Sequence, residues 1–361
     1  MFIGETIALG VAVSWTATAL FAEVASKRMG SLPLNTLRMT MSLLLLAVTL
    51  WLLLGVPYPR FADGDTWLWL ALSGVVGYVI GDYCLMQGYI YIGSRFGQLF
   101  MTLSAPTAAL TGRLLLGEEM SWLAIIGMVV TLSGISMSIL SKGVKGSEKG
   151  VKGSESYGSR VQSQTCLNYA EMKKRRRSQR TMEKLPQLKL PRKGVFFAAV
   201  AGICQGFGLV LSKMGLEKYG NALSVAGVDP SVAPEGALLP VPMMFSVPFA
   251  ATMIRASIGL VGFFVLLVIF NKDWQQKLSH AAHDRKAMWC LLGATVFGPF
   301  VGVSASLLAT QYTSTGIAQT LFALTPVLII APAAWLFHQK VTAREVVGAV
   351  ISVAGVCLFF I

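Results

Sequence analysis

The sequence predicts an all-α polytopic membrane protein of ten transmembrane helices, arranged as two inverted five-helix repeats. Three observations predict it. Hydrophobic residues make up 54% of the 361-residue chain and charged residues only 13%, against about 25% charged in a soluble domain. Ten apolar segments each approach the ~20 residues that a helix needs to cross hydrocarbon. Matched residues recur at a fixed separation: Gly77, Gly81, Gly127 and Gly134 answer to Gly298, Gly302, Gly348 and Gly355, each 221 residues later. Pro106 answers to Pro326 at 220, a single-residue slip. Because a five-span unit has an odd number of spans, it inverts its successor in the membrane.

The first five segments run over about 4–25, 34–54, 67–88, 95–116 and 121–140, and the second five over about 194–214, 249–270, 287–308, 317–337 and 342–361. They are continuous apolar runs, not the alternating runs of a membrane barrel, so helices are expected. Trp51, Trp67, Trp69, Trp122, Trp289 and Trp335 cluster near segment ends, as interfacial aromatics do. The first segment has no basic residue ahead of it, and Lys27 and Arg28 follow it. That polarity is wrong for a cleaved signal, so it is kept as a span.

Residues 1–140 therefore read as one repeat, 141–193 as a linker and 194–361 as the second repeat. The linker holds 15 of the 30 Lys and Arg against four acids, so it carries +11 of the net +13. Rich in Gly, Ser and charge, it cannot bury enough apolar surface to order itself. A basic run such as Lys173–Arg177 beside membrane spans is a topology or lipid-surface signal, so the expected partner is the bilayer and not nucleic acid. A second interruption at about 216–248 contains Pro230, Pro234, Pro240, Pro242 and Pro248 and is expected to be an irregular loop.

Cys84, Cys204, Cys290 and Cys357 lie in apolar segments and Cys166 in the linker, with no metal-like spacing. His280 and His283 read as part of a solvated basic loop. No metal or cofactor is expected, and no Gly-x-x-x-x-Gly-Lys motif is present to couple the chain to ATP. Lys27, Arg28, Arg95, the linker, Lys272, Lys277, Arg285, Lys286, Lys340 and Arg344 fall on one side of a ten-span arrangement, and Arg60, Lys213 and Lys218 on the other. The positive-inside rule then puts the linker in the cytoplasm and both termini outside.

Each half carries a Lys at the end of its first span (Lys27, Lys213), an Arg early in its second (Arg38, Arg255) and a Pro within its fourth (Pro106, Pro326). After the fourth span the first half reads Leu116-Gly-Glu-Glu-Met-Ser121, then Gly127 and Gly134. In this order and duplication the chain resembles the EamA family of the drug/metabolite transporter superfamily, ten-helix carriers built from two five-helix repeats. The likeness covers all but the two interruptions. Where the family has Gly-Glu after the fourth span, the second half has His338-Gln339, so that acid's role rests on Glu118. The resemblance implies cytoplasmic termini, opposite to the charge count.

Ionisable side chains cost at least about 2.5–3.5 kcal/mol at a helix centre, so deep ones are candidates for function. Asp82 is the deepest, and its counterpart is Val303; it reads either as a site for a substrate amine or coupling proton, or as half of a buried pair with Arg95, Arg38 or Lys213. Arg38 and Arg255 recur by symmetry, which favours a scaffold role, and Lys27 and Lys213 read as interface anchors. Glu23 reads as an i,i+4 partner of Lys27. The resemblance implies that Trp15, Gln87, Gln98, Gln205, Gln311, Tyr312 and Gln319 line a central cavity. Gly77/Gly81, Gly202/Gly206 and Gly298/Gly302 are read as close-packing positions, and Pro106 and Pro326 as hinges.

The expected function is non-ATP secondary transport of a small organic metabolite by alternating access, as an exporter or exchanger in a bacterial inner membrane, and not an enzyme. A non-transporting scaffold or lipid-flipping accessory protein is the alternative; an intramembrane lipid-linked transferase lacks converging acid and base groups. Monomer and homodimer both remain open.

Overall fold

Helices that are apolar around most of their circumference must be buried on every side, in protein or in lipid. The computed structural model describes residues 2–140, 191–234, 236–239, 241–330, 332 and 343–358. Almost all of the basic linker, and Trp335, His338, Gln339 and Lys340, lie outside the described residues. The first half contains α1 (Ile3–Met29), α2 (Ser31–Leu54), α3 (Gly64–Ser94), α4 (Phe96–Leu116) and α5 (Trp122–Leu140). The second contains α6 (Arg192–Val225), α7 (Met243–Phe270), α8 (Trp274–His283), α9 (Arg285–Tyr312), α10 (Thr315–Leu328) and α11 (Ala343–Cys357).

Among the described residues there is no strand. Seven helices, α1 to α4, α6, α7 and α9, are long and apolar enough to cross a membrane, and α5, α10 and α11 supply shorter apolar stretches. Their outer faces carry exposed Leu44, Leu110, Val261 and Ile269, side chains that lipid covers. The chain is an integral, polytopic membrane protein.

Three local features recur at the 221-residue period. Asp63 caps α3 by accepting from the Thr66 N–H at 2.9 Å, and Asp284 caps α9 by accepting from the Ala287 N–H at 3.1 Å. Hydrogen bonds from the Thr66 side chain and backbone hold the Asp63 carboxyl below the usual range; the Arg28 side chain, then the Ala287 amide, do the same for Asp284. α3 widens into a π turn from Val75 to Asp82, and α9 into one from Val296 to Phe300. α4 and α10 each break in a two-residue turn, at Thr102–Leu103 and Ala323–Leu324, and resume at Ser104 and Thr325. Pro106 and Pro326 fall in the first turn of the resumed helix, where a missing N–H costs least.

The helices pair by the same repeat. α2 packs on α7, α4 on α10 and α5 on α11, each on its own counterpart, while α1 packs on α9 and its counterpart α6 on α3.

Two expectations are corrected. The irregular insertion is shorter than 216–248: α6 continues to Val225, because no proline or helix-breaking conformation intervenes before Gly227 (φ +69°). α7 already begins at Met243 and contains Pro248 near its start. The irregular stretch 226–242 is tied to the end of α2, whose Leu52 carbonyl accepts from the Leu238 and Leu239 N–H groups, each at 3.0 Å. The basic loop around His280 and His283 is instead the short helix α8, with both histidines exposed and Ala281 buried beneath them. Its apolar side has Leu278 and Trp274 to pack on the second and seventh helices, which gives the segment a reason to coil.

Candidate functional site

A central cavity lies between helices of both halves, and its wall contains Trp15, Asp82, Gln98, Gln205 and Gln319 among the residues singled out above. Three others lie elsewhere. Gln87 bonds the Tyr83 hydroxyl at 3.3 Å and lines a second cleft with Arg28 and Lys277. Gln311 and Tyr312, at the end of α9, are exposed. The helix ends there, at an extended Thr313.

Asp82 ends the π turn of α3 and is 7% exposed. It forms a buried ion pair with Arg38 and accepts from Gln205 Nε2 at 2.8 Å. The same Nε2 reaches the Gly77 carbonyl at 3.2 Å, inside the π turn, where the widened backbone departs from the ordinary α-helical ladder. Gln319 continues the chain, donating to the Gln205 carbonyl at 3.4 Å and accepting from the Ser104 hydroxyl at 3.1 Å. Gln98 donates to the Tyr89 hydroxyl at 2.5 Å. These polar groups link α2, α3, α4, α6 and α10 at one level of the fold.

Arg255 stands in the same wall, 4% exposed, with its guanidinium carbon 4.9 Å from the centre of the Tyr78 ring. Arg38 and Arg255, set aside as scaffold on symmetry, are thus both cavity residues. Tyr78 and Tyr89 escaped notice in the sequence because they sit within apolar runs. The available signal was their position between paired glycines and glutamines.

Glycines on these helices make room for site side chains as well as backbones. A Cβ on Gly77 would stand 3.0 Å from Arg255 Nη2, on Gly81 3.3 Å from Gln205 Nε2, and on Gly302 2.8 Å from Trp15 Nε1. Gly202 and Gly206 do serve backbone approach, against the Phe100 and Ser104 carbonyls of α4.

Two further clusters flank the cavity. Glu23 takes the Lys27 ammonium at 2.5 Å and, through its other oxygen, the Ser94 N–H at 3.0 Å and the Ser94 hydroxyl. Glu118 takes the Lys213 ammonium at 2.6 Å and, through its other oxygen, the Thr315 N–H at 2.9 Å and hydroxyl at 2.6 Å. Lys213 also donates to the Thr313 carbonyl at 3.2 Å. Ser94 and Thr315 are 221 residues apart; Ser94 follows the non-helical kink at Gly93 just ahead of α4, and Thr315 opens α10, so a carboxylate there satisfies free N–H groups and opposes the helix dipole. Each half therefore carries a lysine–carboxylate–hydroxyl clamp, yet the carboxylates come from different places: α1 in one, the α4–α5 loop in the other. The clamps lie at opposite ends of α1, since Thr313 also donates to Glu5 near that helix's start at 2.8 Å.

His280 and His283 are not joined by further ligands; among the described residues no group of three His, Cys, Asp or Glu is placed to hold a metal ion.

A family model described as the EamA-like transporter family matches residues 2–140 and 244–361, well over half of the chain. A solved structure described only as a crystal structure of protein aligns over 99% of this chain and 95% of its own, with a TM-score of 0.57 and 12% identity. At that identity the likeness shows the fold alone. No curated protein matches the chain by sequence.

Proposed function

Because the chain belongs to the EamA-like transporter family, we propose that it is a secondary carrier that moves a small organic solute by alternating access. It works as an exporter or an exchanger in a bacterial inner membrane. On this reading the ten apolar segments are ten spans, and residues 1–140 and 194–361 are two inverted repeats joined by the basic linker. The self-pairing of α2 with α7, α4 with α10 and α5 with α11 supports such an arrangement, because a two-fold relation brings each element onto its own counterpart.

The observation that carries the reading is the polar wall of the central cavity. Hydrogen-bonding side chains from five helices of both halves converge at one level, where lipid-facing helices would carry none. The Glu23 clamp, within the first half, and the Glu118 clamp, between the halves, close opposite ends of the path. Alternate breaking of the two clamps, with bending at the Thr102–Leu103 and Ala323–Leu324 turns beside Pro106 and Pro326, exposes the cavity to one side at a time.

Purified full-length protein in sealed proteoliposomes tests this with tracer solutes from several classes. Saturable uptake that falls at least about ten-fold in Gln205→Leu, which removes the side-chain bridge from α6 to Asp82 and to the Gly77 carbonyl of the π turn, supports the carrier. Equal permeability of loaded and protein-free vesicles to every solute would count against it.

A further inference from the structure

Two guanidinium groups and one carboxylate face the central cavity, and among the described residues no second acid joins them. Arg38 is matched by Asp82. Arg255 is not. Its nearest companion is the face of the Tyr78 ring, its Nε has no hydrogen-bond partner, and neither has the Tyr78 hydroxyl. Both side chains are buried, Arg255 at 4% and Tyr78 at 2% exposure.

A buried cation with no ion pair of its own, sharing only the longer-range field of an Asp82 already paired with Arg38, is costly in protein and costlier at membrane depth. So are the two unmade hydrogen bonds beside it. The surplus charge stands in the cavity wall, and the two unused donors lie buried within that wall. Something that enters this space with one negative charge and acceptor oxygens offsets the surplus charge directly.

We propose that the carried solute is a small organic monoanion whose carboxylate docks on the Arg255 guanidinium and the Tyr78 hydroxyl; this rests on the carrier reading of the cavity. The planar guanidinium fork matches a carboxylate in two parallel hydrogen bonds. The Tyr78 hydroxyl, buried without a partner, adds a third donor as its ring turns toward the solute. Leu85, Met86 and Val303 supply an apolar surface for the carbon skeleton. An amine is disfavoured at the same place, because Asp82 is already held by Arg38 and Gln205 and an incoming cation would meet two guanidinium groups.

The full chain in detergent is melted with pyruvate, lactate and benzoate, with the isosteric amides pyruvamide, lactamide and benzamide, and with benzylamine. A ligand that binds only the folded state raises the midpoint. Carboxylates raise it, whereas amides and the amine do not. Arg255→Gln weakens the carboxylates roughly ten- to a hundred-fold, the loss expected for a charge-assisted pair; Arg255→Lys restores part of it, and Tyr78→Phe weakens them less. Should Arg255→Gln not fold, Tyr78→Phe and the carboxylate–amide comparison carry the test. Equal shifts by acid and amide, or no shift by any acid, overturn the proposal. Tracer uptake separates the two levels. Saturable uptake of an amide or amine without any acid sinks the anion and leaves the carrier, whereas no saturable uptake of any class sinks the carrier itself.

Discussion

Thr131 and Ser352 stand 221 residues apart, and each donates its hydroxyl to the other's backbone carbonyl, at 3.4 and 3.3 Å. A residue meets its own counterpart in this reciprocal way only beside a two-fold axis. The glycines one turn further on repeat the relation. A Cβ on Gly134 would stand 2.6 Å from the Ser352 nitrogen, and one on Gly355 2.6 Å from the Thr131 nitrogen. The α5–α11 contact is therefore built from two copies of one Gly-x₃-Ser/Thr-x₂-Gly pattern, Gly127-Thr131-Gly134 and Gly348-Ser352-Gly355.

Gly134→Leu and Gly355→Leu are expected to destabilise the protein by similar amounts, roughly 1–3 kcal/mol each or more, as overpacked contacts do. Gly10→Ala, with nothing within 4 Å of its new Cβ, serves as the neutral control. Unfolding by SDS titration in mixed micelles reads this. A large cost at one glycine and none at the other would contradict the reciprocal contact.

The Arg38–Asp82 pair makes a different demand. Asp82→Asn leaves Arg38 buried without its partner and is expected to cost about 3–5 kcal/mol. Adding Arg38→Gln removes the orphaned charge, so the double variant is expected to be more stable than Asp82→Asn alone. A double-mutant cycle on the same titration gives the coupling; strictly additive costs would mean that the pair does not stabilise the fold.

Asp63 and Asp284 have carboxyl groups held below the usual range by their cap hydrogen bonds. A depressed folded-state pKa contributes stability that is present above the unfolded value of about 3.9 and lost as pH falls through the folded one. The difference in thermal midpoint between wild type and Asp284→Ala is thus constant from about pH 7 to about pH 5 and shrinks below about pH 4. A difference that already closes between pH 7 and 6 would assign the effect to another group.

An empty site with one surplus positive charge, filled by a monoanion, becomes neutral. On the proposed carrier reading, the loaded protein then reorients more readily than the empty one, because the unpaired charge stays costly through the transition. Vesicles preloaded with unlabelled benzoate are expected to take up labelled benzoate at least about ten-fold faster than empty ones. Equal rates would show that the empty site returns unhindered.

Much of the helical fold was legible in the sequence because bilayer length and a near-exact repeat leave few alternatives. The matched prolines fall at the broken fourth helices of each half, and the matched glycines fall in the π-widened helices, although as packing positions they do not announce the widening. What stayed hidden depended on facing and depth. Recurrence in both halves made Arg38 and Arg255 read as scaffold, yet the bundle turns both inward, toward Asp82 and Tyr78. Gln311 and Tyr312 looked like cavity residues by helix assignment, but α9 ends there and exposes them. The Glu118–Thr315 link joins positions 197 residues apart, and no local spacing announces it. Leu216 to Val225 lay next to prolines, and the length of α6 became plain only once its packing on α3 and α4 was known.

On the carrier reading, one cavity opens to each side in turn, with the Glu23 and Glu118 clamps holding opposite ends. The most direct measurement is the side-resolved labelling of a single cavity cysteine, Thr18→Cys in a chain whose five native cysteines are replaced by serine, in sealed vesicles with a membrane-impermeant maleimide. The wild-type background is expected to label from both faces. Glu23→Gln should raise labelling from the linker face and lower it from the other, and Glu118→Gln should do the reverse. Labelling from one face only, unmoved by either substitution, would contradict alternating access around this cavity.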